Sequence, residues 1–100
     1  MNTRAQVMGA LAQANHVRIT RAQIKREIAS GELTVAEVLR DVPIELAGMA
    51  LADLLRARKG LGRYRVVKFC QSIPIPEHRK LGSLAHWQVA AIVRALERRE

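Results

Sequence analysis

Eight of the chain's Lys and Arg residues fall in one quarter of its length. Between positions 56 and 80 stand Arg56, Arg58, Lys59, Arg63, Arg65, Lys68, Arg79 and Lys80, against Glu77 alone, a local charge of +7 in a protein of net charge +8. Cations gathered this closely repel one another and call for an anionic partner: nucleic acid, an acidic membrane face or an acidic protein. Arg outnumbers Lys, and its planar fork suits phosphate oxygens. An Arg excess also follows from GC-rich coding, so the clustering carries more weight than the residue type.

Two turns lie inside this stretch. Gly60-Leu61-Gly62 separates two helical patterns; two glycines permit positive φ and a close approach of backbone to a ligand. A helix starting at Gly62 aims its free amides and the positive end of its dipole at the turn, where a phosphate fits. Glycine at a helix end is common, so the basic neighbours Lys59, Arg63, Arg65 and Lys68 give this turn its meaning. The second turn runs from Ile73 to Ser83, with Pro74 and Pro76 stopping the helix and fixing an extended path. Leu81 and Leu84 anchor that path, leaving His78, Arg79 and Lys80 at its edge.

Catalysis finds little support. His16, His78 and His86 lack metal-ligand spacing with one another or with Cys70. Glu27, Glu37, Asp41, Glu45 and Asp53 read as caps and helix-face charges rather than an acid–base pair. No cofactor, metal or small-molecule substrate is expected. Cys70, the single cysteine, reads as a small core residue, and a lone cysteine fits a reducing compartment. Arg4, Gln6, Gln13 and Asn15 interrupt the amino terminus against a signal peptide, and no apolar run approaches membrane-spanning length. The expected location is the cytoplasm.

The elements that position these groups are all helical. Apolar residues make up 49% of the chain but only Tyr64, Phe69 and Trp87 are aromatic, a core of aliphatics suited to packed helices. Nothing alternates with period two. Val7, Leu11, Ala14, Val17, Ile24 and Ile28 space a long helix over 3–30, ended by Gly31. Thr20 to Gln23 offers a capping box, so a break near Ile19 stays open. Arg18, Arg21 and Lys25 form a basic stripe beside the apolar seam, either a second anion-binding surface or a solvated face. Thr34 to Glu37 caps a short helix that ends before Pro43. Met49, Leu51, Leu54 and Leu55 carry the next. Val66, Phe69, Cys70 and Ile73 form the buried face of the one after Gly62, with Arg65, Lys68 and Ser72 opposite. A last helix starts near Ser83 and buries Val89, Ile92, Val93 and Leu96. His86 and Gln88 at its start are polar enough to reach a ligand backbone or to be merely solvated. Tyr64 reads as a packing residue and Trp87 as a cap on the core edge. The division is residues 1–32, an amino-terminal helix, and 33–100, a helical domain.

In that order, Leu54-Leu55, Gly60-Leu61-Gly62, Val66, Phe69, Ile73, Ile75-Pro76 and the basic run to Leu81-Gly82 resemble a helix–two-turns–helix module over about 50–97. The module occurs in a ribosomal small-subunit protein and in formamidopyrimidine-type glycosylases. Arg21-Ala22-Gln23-Ile24-Lys25-Arg26, the Gly31 break and Leu33-Thr34-Val35-Ala36-Glu37-Val38-Leu39 are similar to the actinobacterial integration host factors. The resemblance spans about 21–96. It implies an all-α protein, a long amino-terminal helix packed on a bundle that ends in the module. It also implies nucleoid-associated binding of the duplex DNA backbone, assistance to phage integrase reactions, and integrase as a partner. Carried over by position, the turn Gly60–Gly62 and His78, Arg79 and Lys80 face DNA. Glu77-His78 stands where the family tends to have arginine, and the stretch 83–88 looks longer. Duplex DNA binding through phosphates leads; structured RNA, which the same module serves, and a phage regulator docking through its amino-terminal helix are the rivals.

Overall fold

In the computed structural model, which describes residues 3–98, helix α1 (Arg4–Ser30) runs without a break. The outer limits of the two expected segments, 1 and 100, lie outside the described residues. Thr3 caps α1: its hydroxyl accepts from the Gln6 amide at 3.2 Å, and the Gln6 side chain accepts from the Thr3 amide at 2.7 Å. The capping box at Thr20 is not used, and Thr20 is interior to α1. Gly31, at φ 87°, ends the helix in the left-handed conformation that glycine adopts without steric cost.

Thr34 starts α2 (Val35–Arg40), its hydroxyl accepting from the Glu37 amide at 3.1 Å. Pro43 leads into a 3-10 turn (Ile44–Leu46), followed by α3 (Leu51–Ala57) and α4 (Arg63–Ser72). A second 3-10 turn (Leu81–Ser83) precedes α5 (His86–Glu97), which begins three residues later than the sequence suggested. The reason is the Ser83 hydroxyl. It donates back to the Lys80 carbonyl at 2.8 Å and accepts from Arg79 Nε at 3.1 Å, so it does not cap a helix. Gln88 takes over by accepting the Ala85 amide at 2.8 Å, and is itself buried. Helices dominate the described residues, with an isolated antiparallel bridge between Ala50 and Lys80.

The core gathers around Leu46, Leu51, Leu54, Leu55, Val66, Ile75, Leu81 and Ile92, each almost fully buried. Burying a side chain of this size contributes about 1.5–3 kcal/mol. Helix α1 packs on the first 3-10 turn and on α3, α3 packs on α4, and α2 on α5. Ile28 is buried and Ile24 packs against the core, but the expected seam does not continue to the start of α1: Val7 and Leu11 are exposed. Twenty-seven helical residues span roughly 40 Å, whereas the molecule measures 51 × 26 × 24 Å. The helix is longer than the body it leans on. No helix among the described residues is long and apolar enough to cross a membrane.

Candidate nucleic-acid interface

The first turn is built by the end of α3. Gly60, at φ +92°, occupies left-handed backbone, and Leu61 is buried, its amide bonded to the Arg58 carbonyl at 3.1 Å. Gly62 sits at φ −73° as the residue before α4. The expectation that both glycines supply positive φ therefore holds for Gly60 alone. Gly62 matters for space: a Cβ there would meet nothing within 4 Å, and no side chain caps α4. The amides of Arg63, Tyr64 and Arg65, in the first turn of a helix, have no intrahelical acceptor to reach. Their dipole adds partial positive charge to a surface already rich in Arg.

These amides open into a concavity of about 840 Å³ lined by residues 56–65 and by Ala29 of α1. Arg65 reaches back across it to donate to the Gly60 carbonyl at 3.1 Å. Lys59 is exposed, and Lys68 lies one turn further along α4 with its ammonium 5.6 Å from the centre of the Tyr64 ring. Tyr64 is 72% exposed rather than packed, and Trp87 is 68% exposed rather than capping the core. Both stand on the first turns of their helices.

The second turn is held against α3. The carbonyls of Glu77 and Arg79 accept from the Ala52 and Leu51 amides at 2.7 and 2.9 Å, which occupies the start of α3. In return Leu81 and Gly82 donate to the Met49 and Ala47 carbonyls, both at 3.0 Å. Gly82 permits this closeness: a Cβ there would stand 3.0 Å from the Ala47 Cβ. His78, Arg79 and Lys80 project from this rigid path and are exposed. Arg79 spends part of its fork on Ser83, donating to the hydroxyl at 3.1 Å and the carbonyl at 3.2 Å. A guanidinium carries five donors, so the contact orients the group without exhausting it.

A cleft of about 300 Å³ joins the two turns, lined in part by Asp53, Arg56, Arg63, Glu77 and His78. Arg56 and Arg63 line the first concavity as well. Arg56 and Arg63 thus link the first turn to Glu77 and His78 of the second. Arg56 pairs with Asp53 at the i, i+3 spacing, and Tyr64 stands at the lip. Neither was singled out as a site residue from sequence, although the Tyr64 and Lys68 spacing of four was a readable signal for a shared exposed face.

The stripe on α1 divides. Arg18 is exposed and donates to Asn15 Oδ1 at 2.8 Å. Arg21 is half-buried, its Nε donating to the Glu45 carbonyl at 2.8 Å, and Lys25 is half-buried. Gln88, buried in its own helix cap, does not reach outward, whereas His86 is exposed. Cys70 is buried, and burial with the Glu77 charge pushes its thiol up from 9.0 to about 11, away from nucleophilic use. Among the described residues no cluster of three His, Cys, Asp or Glu could hold a metal ion.

The architecture is an all-α, helix–two-turns–helix fold with a long amino-terminal helix. No protein-family model matches the chain, and no curated protein does. A solved structure of sIHF bound to an 8 bp palindromic DNA is similar to it, with a TM-score of 0.78 at 24% sequence identity, covering 83% of this chain and 96% of that one. The two share a fold.

Proposed function

We propose that this protein binds double-stranded DNA through the phosphate backbone, tolerant of sequence, as an architectural nucleoid protein of the integration-host-factor kind. The observation that carries this reading is the set of uncapped α4 amides behind Gly62, inside a basic concavity continuous with the second turn. Backbone amides at a helix start bind phosphate oxygens without reading bases. Gly60 and Gly62 let the strand approach, with Lys59, Arg63, Arg65 and Lys68 around it. His78, Arg79 and Lys80 take phosphates further along the duplex. The DNA-bound state of the sIHF chain with the same fold supports the choice of ligand.

Arg18 and Lys25 on α1 supply a secondary grip, with Arg21 acting mainly as the anchor of that helix. A two-part grip favours bent DNA, since bending repays its elastic cost with added contacts. Such bending serves integrase-type recombination, and the protein acts as a non-enzymatic partner in it, in the cytoplasm on the nucleoid. The test is anisotropy of labelled duplexes of unrelated sequence. We expect dissociation constants within about tenfold of one another, in the range of roughly 10⁻⁶ to 10⁻⁴ M at physiological salt that backbone binding gives. Absence of binding at low salt, or binding to one sequence alone, contradicts the proposal.

A further inference from the structure

Helix α4 carries two aromatic side chains and buries one of them. Phe69 belongs to the core, whereas Tyr64 is 72% exposed, so its ring adds little to the fold. Arg63 and Arg65 flank it in sequence and Lys68 lies one turn further on, all exposed. The Lys68 ammonium stands 5.6 Å from the ring centre, within the range of a cation–π contact. That contact steadies the ring from one face, and the exposure of the residue leaves the other open to solvent. The same residue supplies one of the free amides at the start of α4, at the lip of the basic concavity. A phosphate seated on that amide carries its own nucleotide past the ring.

We infer that the open face of Tyr64 is a stacking platform for an unpaired nucleobase, so that the protein prefers duplex DNA interrupted by a short gap over intact duplex. The inference rests on the backbone-binding reading above. Magnitudes select the interrupted duplex. Stacking a base on one aromatic side chain is worth about 5- to 150-fold in affinity, roughly 1–3 kcal/mol at 1.4 kcal/mol per tenfold. In an intact duplex each base face is covered by its neighbour, and opening a step costs as much as one ring returns or more. At a gap the base face is already free, and the stacking gain appears in the affinity. The contact uses the π face and no hydrogen-bonding edge, so tolerance of sequence is kept. Arg63, Arg65 and Lys68 meanwhile hold the phosphates around it. A long single strand lacks the duplex arm along which His78, Arg79 and Lys80 take further phosphates, so the ring alone does not favour it.

The test uses the full chain and a labelled duplex of one sequence, either intact or with a two-nucleotide gap in the middle of one strand, with affinity read by anisotropy. The quantity compared is the ratio of the two dissociation constants. The unchanged protein should bind the gapped duplex about 5- to 150-fold more tightly than the intact one. Tyr64→Phe keeps a ring and should keep most of that ratio. Tyr64→Leu offers an apolar side chain without a π face, on a residue that suits a helix, and should bring the ratio close to one. Circular dichroism checks that both variants fold. Gapped DNA also bends more easily, a gain that needs no ring. A ratio that survives Tyr64→Leu, or equal affinity of the unchanged protein for the two duplexes, overturns the stacking platform and leaves backbone binding standing. Failure to bind either duplex overturns both.

Discussion

Replacing Gly62 with alanine separates the space a ligand needs from the space the fold needs. Gly62 holds φ −73° and ψ 174°, backbone that alanine adopts freely, and its added Cβ would meet no protein atom within 4 Å. Alanine is a poorer residue than glycine before a helix, a cost of about 0.5–1 kcal/mol. Fewer unfolded conformations return about 0.4–1 kcal/mol. Stability should therefore change by less than about 0.5 kcal/mol, the difference of those two effects. Binding should change much more. A methyl group in front of the Arg63, Tyr64 and Arg65 amides keeps a phosphate from closing to hydrogen-bond distance. Losing one or two charge-assisted bonds costs about 1.5–3 kcal/mol, or roughly 10- to 150-fold in dissociation constant. Gly62→Val should deepen the loss. The assay pairs urea denaturation with anisotropy of a labelled duplex at fixed salt. A folded Gly62→Ala protein that binds as tightly as the unchanged one would refute the phosphate-cradling turn.

Changing Arg79 and Lys80 together to Ala should weaken all duplexes alike and reduce the slope of log affinity against log salt by about 0.9 for each phosphate no longer neutralised; an unchanged slope makes them bystanders. Gly82→Ala forces a Cβ to within 3.0 Å of the Ala47 Cβ and 3.2 Å of its carbonyl. It should cost about 1–3 kcal/mol by overpacking, read as a lower urea midpoint. Arg18→Gln with Lys25→Gln should lower affinity and reduce any bend measured by end-to-end energy transfer, and no change in either returns α1 to packing alone. Cys70, whose folded thiol is raised from 9.0 to about 11, should resist thiol reagents near pH 8. Its contribution to stability is present below the unfolded value near 9 and is lost as pH rises through about 11, so urea midpoints should fall across that window.

Much of this molecule can be read from local sequence, because local rules set it. Gly31 ends α1 by its left-handed φ, Thr34 caps α2, and Val66, Phe69 and Cys70 turn one face of α4 inward as their spacing requires. What escaped depends on partners distant in sequence. Periodicity showed that Val7 and Leu11 belong to the run of three- and four-residue spacings that leads to Ile24 and Ile28, but not that the body is too short to cover them. Ser83 looks like a cap until Arg79 and Lys80 claim its hydroxyl. The basic cluster at the site was legible as charge. The bonding of the second turn to Leu51 and Ala52, which aims that charge, was not. Nor was the split of the α1 stripe, where Arg21 turns to the Glu45 carbonyl.

The most direct test of the account is a salt titration of affinity against three polymers: unrelated duplex DNA, duplex RNA of matching sequence, and single-stranded DNA. Binding that rests on phosphates releases counterions, so log affinity for duplex DNA should fall linearly with log salt, with a slope of about −0.9 for each phosphate neutralised. A-form RNA presents a different backbone spacing and single strands a flexible one, and both should bind more weakly across the range. Equal or tighter binding to duplex RNA, or a duplex DNA affinity that does not respond to salt, would contradict it.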